Sequence, residues 1–196
     1  MSAVMTAEPI RLVTSVSASL PRLSGAPVEL RQGTPSDAPA IHALILDHLK
    51  EGHLLPRRLE EISAHAGRFI VAVDSAGHGG RVVACAELAP LSRTLAEVRS
   101  LVVGNEARGL GVGSRIVDEL ARRGAVAGFD RLCAFAHSPG YFLRMGFSIV
   151  PHEWLAEKIA TDCHACPEFR HCGQFAVIRP LARQRDACVP LAALHG

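Results

Sequence analysis

A chain of 196 residues is long enough for one domain of ordinary size with a real core. Apolar residues make up 48% and charged residues 20% of it, at a formal net charge of +2, which excludes an electrostatic nucleic-acid binder, because that needs a basic face or stripe. No apolar stretch approaches the roughly 20 residues that span a bilayer, and the serine-rich N-terminus with Glu8 upstream makes a poor secretory segment, so no membrane partner and a cytoplasmic location are expected.

Residues 1–27 are small, polar and Pro-interrupted and read as a disordered leader. "VELRQG" (28–33) alternates as a first strand. In "TPSDAPAIHALILDHLKEG" the residues Ile41, Leu44, Ile45, His48 and Leu49 recur at helical spacing, with Ser36 or Asp37 as cap, Pro39 in the first turn and Gly52 as the stop. "LLPRRLEEISAHA" gives a loop and a short helix. "RFIVAVD" (68–74), "SAGHGG" and "RVVACAEL" (81–88) form a hairpin, and "LAEVRSLVV" (95–103) a third strand of the same kind. "GVGSRIVDELARRGAVAG" (111–128) is the longest amphipathic helix, with Val112, Ile116, Val117 and Leu120 facing inward. "DRLCAFA" (130–136) is a strand, "GYFLRMGF" (140–147) a short helix ending at Gly146, "SIVP" extended and "EWLAEKIATD" helical. "QFAVIRPL" (174–181) closes the domain, and residues 182–196 read as a peripheral C-terminal tail. The order β-α-α-β-β-β-α-β-α-β describes an α/β (α+β) domain over residues 28–181. Its mixed, mostly antiparallel sheet is flanked by helices on both faces.

"RGLGVG" (108–113) is a phosphate loop by composition. A Walker loop needs Lys and then Ser/Thr after the last glycine, whereas Ser114 and Arg115 follow Gly113. The dinucleotide spacing also fails, because Ser114 or Ile116 stands where the third glycine belongs. What remains is Arg-x-x-Gly-x-Gly between a strand and a helix N-terminus, whose N–H groups point at an anion.

"LAEVRSLVVGNEARGLGVGSRIVDEL", with "GYFLRMGF" in register behind it, resembles the central motif of the GNAT superfamily of N-acetyltransferases across residues 28–181. Within it, "LLPR", "LAEVRSL", "YFLRMGF" and "EKIATDCHACPEFRHCGQFAVI" are similar to the short bacterial N-acetylglutamate synthases. The resemblance implies the GNAT acyl-CoA N-acyltransferase fold and acetyl-CoA as cosubstrate. It further implies acetyl transfer to the α-amine of an amino acid, L-glutamate, at the first step of arginine synthesis, and a homodimer. Alternatives left open are another amine (a protein N-terminus, a polyamine or an antibiotic) and a sensor without turnover.

The residues divide the chemistry. Backbone groups of Arg108, Gly109, Leu110, Gly111, Val112 and Gly113 cradle the diphosphate, and the resemblance implies that Leu101, Val102 and Val103 pair with the pantetheine arm and that Phe142 lines it. An α-amine with a pKa of about 8 is mostly charged at neutral pH, so a base is useful. Glu97 is the candidate base, and a strand glutamate paired with Arg99 is the bland alternative. Phe142 occupies the place where many superfamily members carry a tyrosine acid, which leaves Ser138, or His137, as donor; a thiolate with a pKa near 8.5 does not require one. The two carboxylates of glutamate call for cations, and Arg57 and Arg99 are the candidates.

The chain has six cysteines. Cys85 and Cys133 sit in strand-like apolar runs as small core residues. Cys163, Cys166 and Cys172 have a metal-like look, but their spacing lacks a second C-x2-C pair, and no metal ligands are assigned.

Overall fold

The computed structural model describes residues 28–51, 54–75, 80–166 and 169–181. The leader, the C-terminal tail, Gly52 and most of the "SAGHGG" turn lie outside the described residues. Among the described residues, seven strands form one sheet: β1 (Val28–Gln32), β2 (Phe69–Asp74), β3 (Arg81–Pro90), β4 (Leu95–Val103), β5 (Arg131–Ala136), β6 (Ser148–Val150) and β7 (Phe175–Pro180). Their order is β1-β2-β3-β4-β5-β7-β6, with β4 and β5 parallel and every other neighbour antiparallel. The single parallel pair follows from the β4–helix–β5 crossover, since parallel neighbours cannot be joined by a hairpin.

Among the same described residues, five α-helices cover the sheet: α1 (Ala38–His48), α2 (Leu59–Ala64), α3 (Val112–Val126), α4 (Gly140–Leu143) and α5 (Ala156–Thr161). On one face, Val112, Ile116, Val117 and Leu120 of α3 and Phe142 of α4 pack on Ile70, Ala84, Ala96, Val98, Leu132 and Val177. Each fully buried aliphatic side chain there contributes about 1.5–3 kcal/mol. The opposite face is divided. Ile41, Ile45 and Ile62 of α1 and α2 cover Phe69, Val71 and Cys85, while Leu155, just before α5, covers Leu95, Cys133 and Ala176. The gap between these two packed groups lies over the middle of β4.

The start of the first helix differs from expectation. Pro35–Asp37 form a short 3-10 turn ahead of α1. The Asp37 carboxylate accepts from the Thr34 N–H (2.8 Å), the Thr34 hydroxyl (2.7 Å) and Arg31 in a bidentate pair (2.7 and 2.8 Å). Asp37 does stand at the N-cap position of α1, but its side chain ties the turn to β1 rather than bonding a free N–H of that helix. The Arg31 hydrogen bonds hold its carboxyl well below the usual range against the opposing effect of burial.

Candidate active site

Two irregularities of β4 create the site. Pairing with β5 runs only through Leu95–Arg131, Ala96–Leu132 and Glu97–Cys133. Beyond Glu97 the two strands part, so their open ladders can accept an extended ligand arm. The second irregularity is a bulge. Glu87 opposes Arg99 but Cys85 opposes Val102, so β4 carries one extra residue between them. Ser100 sits there at φ 53°, a left-handed conformation that costs a non-glycine residue roughly 1 kcal/mol or more. The extra residue reverses the alternation of side chains. Ala96 and Val98 face α3 before it, and Leu101 and Val103 turn toward that same face after it, while Val102 faces α1.

The phosphate loop follows directly. Gly109 and Gly111 adopt φ 79° and 72°, which only glycine does without strain. Arg115 N–H donates to Gly111 O at 3.1 Å, so the N–H groups of Val112, Gly113 and Ser114 lie ahead of the first helical hydrogen bond of α3 and face an incoming anion. A Cβ on Gly113 would stand 2.9 Å from the Tyr141 hydroxyl and 3.2 Å from Val103, so a larger residue where the helix meets the strand would have to displace one of them. The Tyr141 hydroxyl is buried and has no hydrogen-bond partner among the described residues. Burial pushes its pKa up, and the nearby Ser114 side chain opposes that rise. The open N–H groups at the head of α3 fit the diphosphate of a coenzyme A thioester. The Arg108 guanidinium is committed elsewhere: it donates to Val103 O at 3.1 Å and pairs with the Glu51 carboxylate at 2.7 and 2.8 Å.

Glu97 stands at the apex of the splay and is 4% exposed. Arg99 is its partner, as the bland alternative had it, but the pair is buried rather than facing solvent. Oε2 accepts from Arg99 Nη2 (2.7 Å), Arg99 Nε (3.0 Å) and Lys158 Nζ (2.9 Å); Oε1 accepts from Lys158 Nζ alone at 2.8 Å. Asp162 closes the set, accepting from Lys158 at 2.7 Å and from Arg99. Burial works against the Arg99 charge, but Glu97, Asp162 and Glu87 outweigh it and raise its pKa. Burial, and then the Glu97 charge, push the neighbouring Cys133 thiol up, which leaves it a non-nucleophilic core residue.

Arg57 reaches β4 from the α2 side. Its Nη1 donates to Glu87 (3.0 Å) and Ser100 Oγ (3.1 Å), and its Nε and Nη2 donate to Glu61 (3.1 and 2.7 Å). With its side chain 8% exposed and that of Glu87 1% exposed, Arg57 is an internal brace of the Ser100 bulge. Arg57 and Arg99 thus flank the bulge from two sides, but only Arg99 joins Glu97.

Ser138 is exposed in the turn after β5. Phe142 is buried in the α3-side core, edge-on to Tyr141 and Phe147 at 5.2 Å each. The sequence reading missed Lys158 and Asp162, although their i,i+4 spacing on one short helix was a usable signal, and it missed Glu87, which carries no local signal. Cys163, Cys166 and Cys172 are free thiols in the turns after α5. Among the described residues, no group of three or more His, Cys, Asp and Glu side chains is placed to hold a metal ion. Also among them, no helix is long and apolar enough to cross a membrane.

Comparison with known proteins agrees with this geometry. The model of the Acetyltransferase (GNAT) family matches residues 38–147. An uncharacterised N-acetyltransferase of Chlorobaculum tepidum is 31% identical over 152 residues, covering 78% of this chain and 96% of its own length. The amino-acid acetyltransferase of Neisseria meningitidis is 29% identical over 137 residues, 69% of this chain but only 30% of the relative. The N-acetylglutamate synthase of Neisseria gonorrhoeae, solved with coenzyme A and N-acetyl-glutamate, superposes with a TM-score of 0.69 at 26% identity, covering 82% of this chain and 36% of that one. A Mycobacterium tuberculosis protein solved in complex with CoA superposes at 0.66 and 25% identity, covering 79% and 99%. The splayed strands, the glycine loop at the head of α3 and these matches lead to one conclusion: the chain belongs to the GNAT family of acetyltransferases.

Proposed function

We propose that this chain transfers acetyl from acetyl-CoA to the α-amine of an amino acid, and that the acceptor is L-glutamate. The first part rests on the family: a GNAT acetyltransferase uses acetyl-CoA as donor, and the open N–H groups of α3 suit its diphosphate. The observation that carries the second part is the set of buried Glu97 with the partly buried Arg99, Lys158 and Asp162 at the apex of the splay. A carboxylate beside two cations at the apex of the splay suits an incoming ammonium that carries carboxylate groups.

In this reading Glu97 accepts the proton of the incoming ammonium, directly or through one water. Oε1 is the working oxygen, because a single donor holds it and a small displacement of Lys158 frees it, whereas Oε2 is fixed by three contacts. Arg99 and Lys158 receive acceptor carboxylates, and Asp162, the most exposed member at 33%, yields its place to one of them. Arg57 is assigned to bracing the bulge rather than to the acceptor. Backbone N–H groups past the bulge polarise the thioester carbonyl. Ser138 is the donor nearest in sequence for the leaving thiolate, a step with little need of acid. The likeness to the Neisseria amino-acid acetyltransferase and N-acetylglutamate synthase supports glutamate over other amines, although the chain spans only about a third of those proteins. A homodimer and a cytoplasmic location belong to the same proposal.

The test is product identification. Carbon-labelled acetyl-CoA is incubated with the protein and a mixture of the common amino acids, spermidine and a short peptide, and the acetylated species are separated by mass spectrometry. N-acetylglutamate as the dominant product is the expected result; acetylated spermidine or peptide overturns the amino-acid reading.

A further inference from the structure

The chain has two lysines, Lys50 and Lys158. Lys50 is exposed. The Lys158 side chain is 14% exposed, and its ammonium stands across the mouth of the splay. On the β4 side Nζ donates to Glu97 Oε1 at 2.8 Å and to Oε2 at 2.9 Å. On the β5 side it lies 5.2 Å from the centre of the Phe135 ring. Glu97 and Cys133 form the last pair between the two strands, and Phe135 stands two residues past Cys133 on the same face. Asp162 accepts from Nζ at 2.7 Å. An ammonium therefore already sits between the two lips of the opening, against the carboxylate assigned as base.

That is the place assigned to the acceptor's amine. A side chain tethered there has the standing of an intramolecular nucleophile, with little translational freedom left to lose and a base in contact. Lysine carries its amine on a flexible four-carbon stem, so Nζ shifts toward a carbonyl by rotation about its own bonds. We infer that Lys158 is a self-acetylation site: with the donor bound and no acceptor present, its own amine takes the acetyl group. Glu97 removes one proton from Nζ and passes it to solvent. The freed lone pair attacks the thioester carbonyl carbon; the C–N bond forms and the C–S bond breaks. The thiolate leaves with the electron pair of the C–S bond and takes a second proton from the same nitrogen. The products are an acetylated lysine and free coenzyme A. The step is slower than transfer to an α-amine, because an alkyl ammonium gives up its proton less readily, by about two orders of magnitude. An acceptor that displaces Lys158 from Glu97 also takes away its base, so the two reactions compete. The assignment rests on the acetyl-CoA reading and on Glu97 as base. Its consequence is regulatory: acetylation removes the Lys158 charge and leaves Arg99 as the common cation of Glu97 and Asp162. Donor without acceptor thus silences the site.

The experiment incubates the intact protein with acetyl-CoA alone and follows acetylation by intact-protein and peptide mass spectrometry. Lys50 is the internal measure of uncatalysed modification. Lys158 is expected to take one acetyl group at a rate that saturates with acetyl-CoA and exceeds that of Lys50 by about tenfold or more. E97Q is expected to bring Lys158 down to the rate of Lys50, with acetyl-CoA binding retained. Excess L-glutamate is expected to protect Lys158 and not Lys50. Protein already acetylated at Lys158 is expected to turn over subsaturating acceptor about tenfold or more slowly. Acetylation of Lys158 no faster than that of Lys50, while glutamate is turned over, overturns the assignment and leaves the proposed function standing. Rapid acetylation of Lys158 that glutamate does not slow supports the assignment and overturns glutamate as acceptor. No modification of Lys158 above background and no turnover overturns both.

Discussion

Replacing Arg57 by alanine separates a structural role from a substrate role. The Glu87 side chain is 1% exposed, and Arg57 is its close cation at 3.0 Å. Once Arg57 is truncated, the nearest remaining charge is Arg68 at 3.9 Å, whose own side chain is 45% exposed. Removing one partner of a buried pair strands the other charge at a cost of about 3–5 kcal/mol. At roughly 2–4 °C per kcal/mol for a chain of this length, the melting midpoint should fall by about 6–20 °C. The double variant R57M/E87Q removes the stranded charge and should recover most of that loss. Urea and thermal unfolding followed by circular dichroism measure both. An R57A protein that melts with the wild type but has a raised KM for the acceptor would show that Arg57 serves the substrate, and would refute the brace.

Three further outcomes follow from the same contacts. Asp37 and Glu119 both have depressed pKa values: the Arg31 hydrogen bonds lower the first, and the Arg122 and Arg123 hydrogen bonds lower the second to about 2. A depressed folded value contributes stability above the unfolded value near 4 that is lost as pH falls toward the folded one, so D37N/E119Q should flatten the acid limb of the urea midpoint below pH 4; an unchanged limb contradicts the assignment. G113A drives a methyl into the Tyr141 hydroxyl at 2.9 Å and should raise the KM for acetyl-CoA about tenfold or more, as a misplaced binding element does, with a small effect on the acceptor KM. In thiol mapping, Cys172, which is exposed, should react first. Cys85, which burial pushes up to about 12, and Cys133 should react only on unfolding; early labelling of Cys85 would place it outside the core.

The sheet and its helices were legible because their signals are local. The apolar period of residues 112–120 locates α3, and the alternating or continuous apolar runs of β2 to β5 locate the strands to within about two residues. The glycine loop was legible as well, because positive φ at Gly109 and Gly111 and an open helix N-terminus are properties of a short contiguous segment. The charge network was not. Glu97 and Arg99 are two residues apart, but Lys158 on α5 and Asp162 at its C-terminal cap come some sixty residues later, and nothing in either segment specifies that the two meet. The contacts of Arg57 were hidden for the same reason: it looks like any surface arginine until Glu87, thirty residues on, is seen to be buried beside it. The bulge at Ser100 also escaped, because a serine at positive φ is imposed by tertiary pairing rather than by its own preference. Arg108 shows the converse: a loop arginine suggests phosphate, yet its side chain pairs with Glu51 at the end of the first helix.

The most direct test of the account is the steady-state release of coenzyme A from acetyl-CoA with L-glutamate as acceptor, by the wild type and by E97Q. The account predicts turnover above the hydrolytic background for the wild type. For E97Q it predicts a kcat lower by roughly 10²-fold or more, the usual contribution of a positioned base, with acetyl-CoA binding retained. No glutamate-dependent release by the wild type, or equal kcat in the two proteins, contradicts it.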